Sequence, residues 1–132
     1  MKKHIIIAFL SLFAAAASAQ TTAKRTEHFN LDKKTAIQGY DPVAYFKQSK
    51  AVKGKKEIAA SYEGVTYQFS TAANKEAFIK NPKAYEPEYG GWCAYAMGSS
   101  GDKVEINPET FKIVEGKLYL FYNSYFNNTL KS

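Results

Sequence analysis

The sequence predicts an α+β fold: a small antiparallel sheet of hairpins with short interleaved helices, packed as a single compact domain. Three observations carry this. The stretch Val65-Thr66-Tyr67-Gln68-Phe69 alternates apolar and polar side chains with a period of two, beside a second strand-like run at Ile58–Tyr62. Phe111–Val114 and Lys117–Tyr122 form a similar pair around Glu115-Gly116. Between the pairs lie short segments that begin with helix-capping residues and end at Gly or Pro.

Taken in chain order, the first element is a signal peptide over residues 1–19. Lys2 and Lys3 supply a basic start, Ile5 to Ala17 an apolar run, and Ala17-Ser18-Ala19 the small residues a signal peptidase reads. The apolar run is shorter than the roughly 20 residues of a membrane helix, so no stable membrane insertion is expected once the signal is removed. The expected location is periplasmic or secreted, and the Lys-Lys start has a bacterial character. Residues 20–28 are polar and aperiodic and read as a flexible lead-in. The domain proper is expected over residues 29–132, enough for one core and too little for two.

Gly39-Tyr40-Asp41-Pro42-Val43 reads as a helix start. Asp41 caps free amide groups, and Pro42 suits the first helical position. Ser70 or Thr71 caps a helix to about Lys80, with Ala73, Ala77 and Phe78 facing inward and Pro82 ending it. Trp92–Met97 reads as a short apolar helix stopped by Gly98, followed by a polar loop over Ser99–Lys103. Asn107-Pro108-Glu109 repeats the cap-plus-proline pattern, and Tyr125–Leu130 reads as the opening of a last helix.

Charge and composition exclude several functions. The formal net charge is +6, but the lysines are spread along the chain rather than clustered on one element with aromatics between them, so nucleic acid is not an expected partner. There is one cysteine, Cys93, so no disulfide framework can form within the chain. His-Glu-x-x-His, Cys-x-x-Cys and phosphate-cradling Gly motifs are missing from the sequence. With His28 as the only histidine after the signal segment, most hydrolase triads are excluded as well, and an enzyme is not expected.

The segments Tyr62-Glu63-Gly64-Val65-Thr66-Tyr67-Gln68-Phe69-Ser70, Phe78, Asn81-Pro82 and Tyr85, with Gly39-Tyr40-Asp41-Pro42-Val43 upstream, resemble the YHS-domain family. Tyr89-Gly90-Gly91-Trp92-Cys93-Ala94-Tyr95-Ala96-Met97 and Gly116-Lys117-Leu118-Tyr119-Leu120 resemble its exported, signal-bearing branch. The match runs from about Thr35 to Tyr122. The resemblance implies a binding module, and in many members a metal held by cysteines. The positions those cysteines occupy hold Ala44, Ser70 and Asn74 in this chain, none of which is a soft-metal ligand. Relatives of this type often continue into a further helical stretch containing Trp, so the end at Ser132 implies a short tail or a C-terminally truncated chain.

Two function classes lead, and a third reading, a small enzyme using Cys93, ranks below both. In the first, the protein is a non-catalytic exported module that binds copper or another soft metal. Cys93 and Met97 stand four residues apart, on one face of a helix, and His28 would be the third ligand. In the alternative it is a structural or protein-interaction domain without metal, Cys93 is buried and inert, and Gly90–Gly98 is presented to a protein partner. The aromatic set Tyr40, Tyr45, Tyr85, Tyr89, Trp92 and Tyr95 is expected to tie loops to the core, or to bind a flat or sugar-like ligand if several line one cleft.

Overall fold

Two-residue turns organise the strands. In a computed structural model that describes residues 22–123, β1 (Leu31–Asp32) and β2 (Thr35–Ala36) are joined by Lys33-Lys34, and β3 (Lys55–Tyr62) and β4 (Val65–Phe69) by Glu63-Gly64. Glu115-Gly116 joins β5 (Asn107–Val114) to β6 (Lys117–Phe121). Both central residues of each turn have positive φ, for example 47° at Glu63 and 85° at Gly64. Such turns match the right-handed twist of the strands they connect. The first hairpin escaped the sequence reading because Lys33-Lys34 lacks the glycine that marks the other two.

The first sheet has the order β1-β2-β4-β3, and β5 and β6 form a second sheet. The pairs are antiparallel except β2 with β4, which meet in parallel at Thr35 and Thr66. Val65, Tyr67 and Phe69 of β4 are fully buried, as their alternation predicts. Gly54, just before β3, runs so close to β4 that a Cβ there would lie 2.4 Å from the Gln68 carbonyl carbon. Only glycine fits that approach.

Four α-helices interleave with the strands among the described residues. Residues 22–28, expected to be an irregular lead-in, are helical (α1). Its Thr22 lies against the β3–β4 turn, where a Cβ on Gly64 would come within 2.6 Å of the Thr22 methyl group. α2 (Ala44–Lys47) follows the Asp41-Pro42 turn. α3 (Ala72–Lys80) is capped by Thr71, whose hydroxyl accepts the Asn74 amide at 3.1 Å. Its inner face is Asn74 and Phe78 with half-buried Ala77, whereas Ala73, expected inside, is exposed. α4 (Ala94–Ser99) starts two residues later than expected and runs through Gly98.

Asn107-Pro108-Glu109 starts a strand rather than a helix. Asn107 Oδ1 accepts the Glu109 amide at 2.9 Å, and the β5–β6 register shifts between Asn107 and Phe111. Proline, which has no N–H to offer, is tolerated at such an irregularity. The expected signal peptide over 1–19 and the expected helix opening at Tyr125–Leu130 lie outside the described residues.

One core joins both sheets. Val65, Tyr67 and Phe69 of β4 belong to the same buried cluster as Leu118 and Leu120 of β6, with Val43, Tyr45, Phe78 and Cys93. Phe78 lies 4.7 Å from Tyr67 and 5.3 Å from Phe69, ring centre to ring centre. Aromatic pairs at these separations add to the stabilisation from area burial. Among the described residues, no helix is long and apolar enough to cross a membrane.

Candidate functional site

Cys93 is the residue just before α4 and is fully buried. Its amide donates to Val104 O at 3.0 Å, and its carbonyl accepts the Met97 amide at 3.0 Å. Its Sγ accepts the Tyr122 amide at 3.3 Å. The thiol therefore ties the start of α4 to the residue after β6. Met97 is half-buried one turn along. Cys93, Tyr95, Val104 and Tyr122 border a cavity of about 300 Å³.

His28, at the end of α1, is exposed. Its backbone carbonyl accepts the Trp92 indole N–H at 2.7 Å, which brings the main chain of His28 next to the Cys93 segment. Its ring Nδ1 lies 3.2 Å from Lys103 Nζ. An ammonium group beside that nitrogen opposes a second cation there. Among the described residues, no group of three or more His, Cys, Asp or Glu side chains is arranged to hold a metal ion.

The positions that would carry thiols in the resembled family converge on Asp41 instead. The Asp41 carboxylate is fully buried. Oδ1 accepts the amides of Val43 at 2.8 Å and Ala44 at 3.3 Å. Oδ2 accepts the Ser70 amide, the Ser70 hydroxyl and the Asn74 Nδ2, each at 2.8 Å. Asp41 thus caps the turn into α2, as the sequence predicts, and also staples that turn to the entry of α3. With its oxygens occupied by these donors, and Ala44, Ser70 and Asn74 in the thiol positions, this place does not fit a soft metal. The role of Asn74 went unread. Its one sequence signal is a polar side chain on a helix face shared with Phe78, one turn away.

A second polar cluster was also missed. Glu86 Oε2 accepts Arg25 Nη2 at 2.7 Å and the Tyr67 hydroxyl at 2.6 Å. Arg25 reaches Glu63 as well, at 3.3 Å, and its guanidinium lies 4.5 Å from the centre of the Phe29 ring. Burial acts to lower the Arg25 pKa, but the hydrogen bond and attraction of Glu86 outweigh it, and the net shift is upward. Burial, with the charge of Glu86 next, pushes the Tyr67 phenol well above its usual range. Burial also raises Tyr45, whose hydroxyl donates to Pro108 O at 2.6 Å. These groups stay protonated at neutral pH and serve as fixed donors, not as acids or bases.

The aromatic set is mostly structural. Tyr45 is in the core, and Tyr85 packs edge-on against Phe46 with ring centres 5.4 Å apart. Tyr89 and Tyr95 are exposed, and Tyr89 sits at a left-handed φ of 55° beside Gly90 and Gly91. Comparison of the chain with protein-family models, with curated proteins and with solved structures gives no match.

Proposed function

We propose that the chain is an exported, non-catalytic binding module of the YHS type, in which Cys93 is a buried structural thiol and recognition takes place on the surface. The position of Cys93 carries this reading. Its sulfur has no exposure and accepts the Tyr122 amide, so it already serves to hold α4 against the end of β6. A reactive cysteine needs an accessible thiolate in an electropositive setting, and a metal-binding one needs further donor side chains around its sulfur. Tyr89 and Tyr95, exposed on either side of Trp92 and Cys93, make the Gly90–Gly98 segment the face offered to a protein partner.

The soft-metal reading keeps one favourable observation: Cys93 borders the cavity of about 300 Å³, with Met97 one helical turn away. A single experiment separates the two. Cys93 is expected to react with a thiol reagent only after denaturation, and the wild type and Cys93→Ala are expected to take up Cu(I) equally weakly. Fast native labelling that Cu(I) blocks, with stoichiometric uptake lost in Cys93→Ala, would establish the metal site and overturn the structural assignment.

A further inference from the structure

We propose that a polar groove centred on Gln38 is a binding site for an acidic oligosaccharide. The groove consists of two depressions that share Gln38. The larger, about 520 Å³, is lined by Gln38, Tyr40, Lys53, Asn107, Glu109 and Asn123. The smaller, about 310 Å³, has Lys33, Lys56, Asp32 and Gln68 on its walls. Together they hold one phenol, several carboxamides, and lysines in excess of acids. Among the described residues the ion pairs within 4.0 Å are those of Arg25, so these groove charges are not spent on each other.

The backbone at the centre of the groove is held in a costly conformation. Ile37, Gln38 and Gly39 all have left-handed φ, at 55°, 52° and 85°. A β-branched residue at such an angle is an outlier, and strain of this kind concentrates at ligand clamps. Here it buries Ile37 in the core and leaves Gln38 exposed between the depressions. Gln38 Nε2 donates to the Ile106 carbonyl at 3.1 Å, which fixes the side chain at the edge of the larger depression and leaves its own carbonyl oxygen to accept from a ligand.

The lining selects the ligand class. Carboxamides and the carboxylates of Asp32 and Glu109 suit vicinal hydroxyls, a tyrosine ring suits a sugar face, and the lysines, present in both depressions, suit ring carboxylates. Two adjoining depressions suit a short chain of sugars better than a single one. This inference rests on the reading of the chain as a binding module, but it uses neither Cys93 nor Met97.

The test uses the chain from Gln20 onward, titrated by calorimetry with tri-galacturonate, maltotriose and tri-glutamate. Tri-galacturonate is expected to bind at least about tenfold more tightly than either of the others. Lys53→Met and Gln38→Ala are each expected to weaken it by about tenfold, the loss of one hydrogen bond to a charged or polar partner. Lys53 is exposed, so the Lys53→Met midpoint should stay near wild type, whereas Gln38→Ala also loses the bond to Ile106 O and should lower its midpoint by a few degrees while remaining folded at the titration temperature. Lys75→Met on α3 should leave binding unchanged. Tri-glutamate binding as tightly would reduce the groove to a general basic surface, and maltotriose binding as tightly would remove the role of charge. Either result overturns the proposal, as does wild-type affinity in Lys53→Met or no binding of tri-galacturonate at millimolar concentration. Loss of saccharide binding with Cys93 still protected would sink this inference alone. Native-state reactivity of Cys93 would sink the structural reading of the thiol and leave the titration standing.

Discussion

Asp41 shows how far a single residue can be read from its neighbours. Asp-Pro announces a cap, and the carboxylate does accept the amides of Val43 and Ala44. Its bonds to Ser70 and Asn74 span 29 and 33 residues, and nothing local to either end encodes them. Asp41→Ala strands buried donors on both segments. It should cost about 3 kcal/mol or more of unfolding free energy in urea titrations, because each unmet buried group is penalised separately. A loss near zero would mean that water replaces the carboxylate. Burial of Cys93 was open to the sequence only as the alternative to a metal ligand, on residue type alone, and its bond to the Tyr122 amide belongs to the tertiary structure.

At the scale of elements, the hairpins with Glu-Gly turns were legible because pattern and turn chemistry agree. The Lys33-Lys34 hairpin was not, because left-handed lysines leave no compositional mark. Asn107-Pro108-Glu109 resembles Asp41-Pro42 locally yet begins a strand. The aromatic and β-branched residues Phe111, Ile113 and Val114 that follow favour extended backbone and outweigh the cap. α1 was misread because its polar sequence has no apolar stripe. Its docking depends on Arg25, whose partners Glu63 and Glu86 lie far along the chain. The pair with Glu86 is mostly shielded, with 17% and 11% of the side chains exposed. Arg25→Ala should therefore cost about 2 kcal/mol, more than a surface pair and less than a fully buried one. It should also raise hydrogen exchange over residues 22–28 selectively. Unchanged exchange there would show that α1 is held by other contacts.

For the whole molecule, the fold class followed from periodicity, while sheet order and the parallel β2–β4 contact did not, because a single sequence does not say which strands become neighbours. The shared core makes stability depend on pH in the alkaline range. Tyr45 and Tyr67 titrate above their usual value of about 10 when folded and near it when unfolded. The stabilisation they give is complete below about pH 10. It is lost as pH rises from there toward the folded values, at about 1.4 kcal/mol per pH unit for each tyrosine. Urea midpoints measured from pH 8 to 11.5 should fall beyond pH 10, and less steeply in Tyr67→Phe. A flat profile would contradict the burial of these phenols.

β3 closes one side of the four-stranded sheet, and along its outer rim Lys55, Lys56 and Glu57 are all exposed. A free rim of unpaired peptide groups invites another chain to add a strand, and like charges on neighbouring molecules repel that approach. The same lysine-bearing margin that would attract an anionic polymer would thus oppose edge-to-edge pairing of copies of the protein. Chemistry that erased those charges would promote fibre-like stacking while leaving the interior of the molecule untouched.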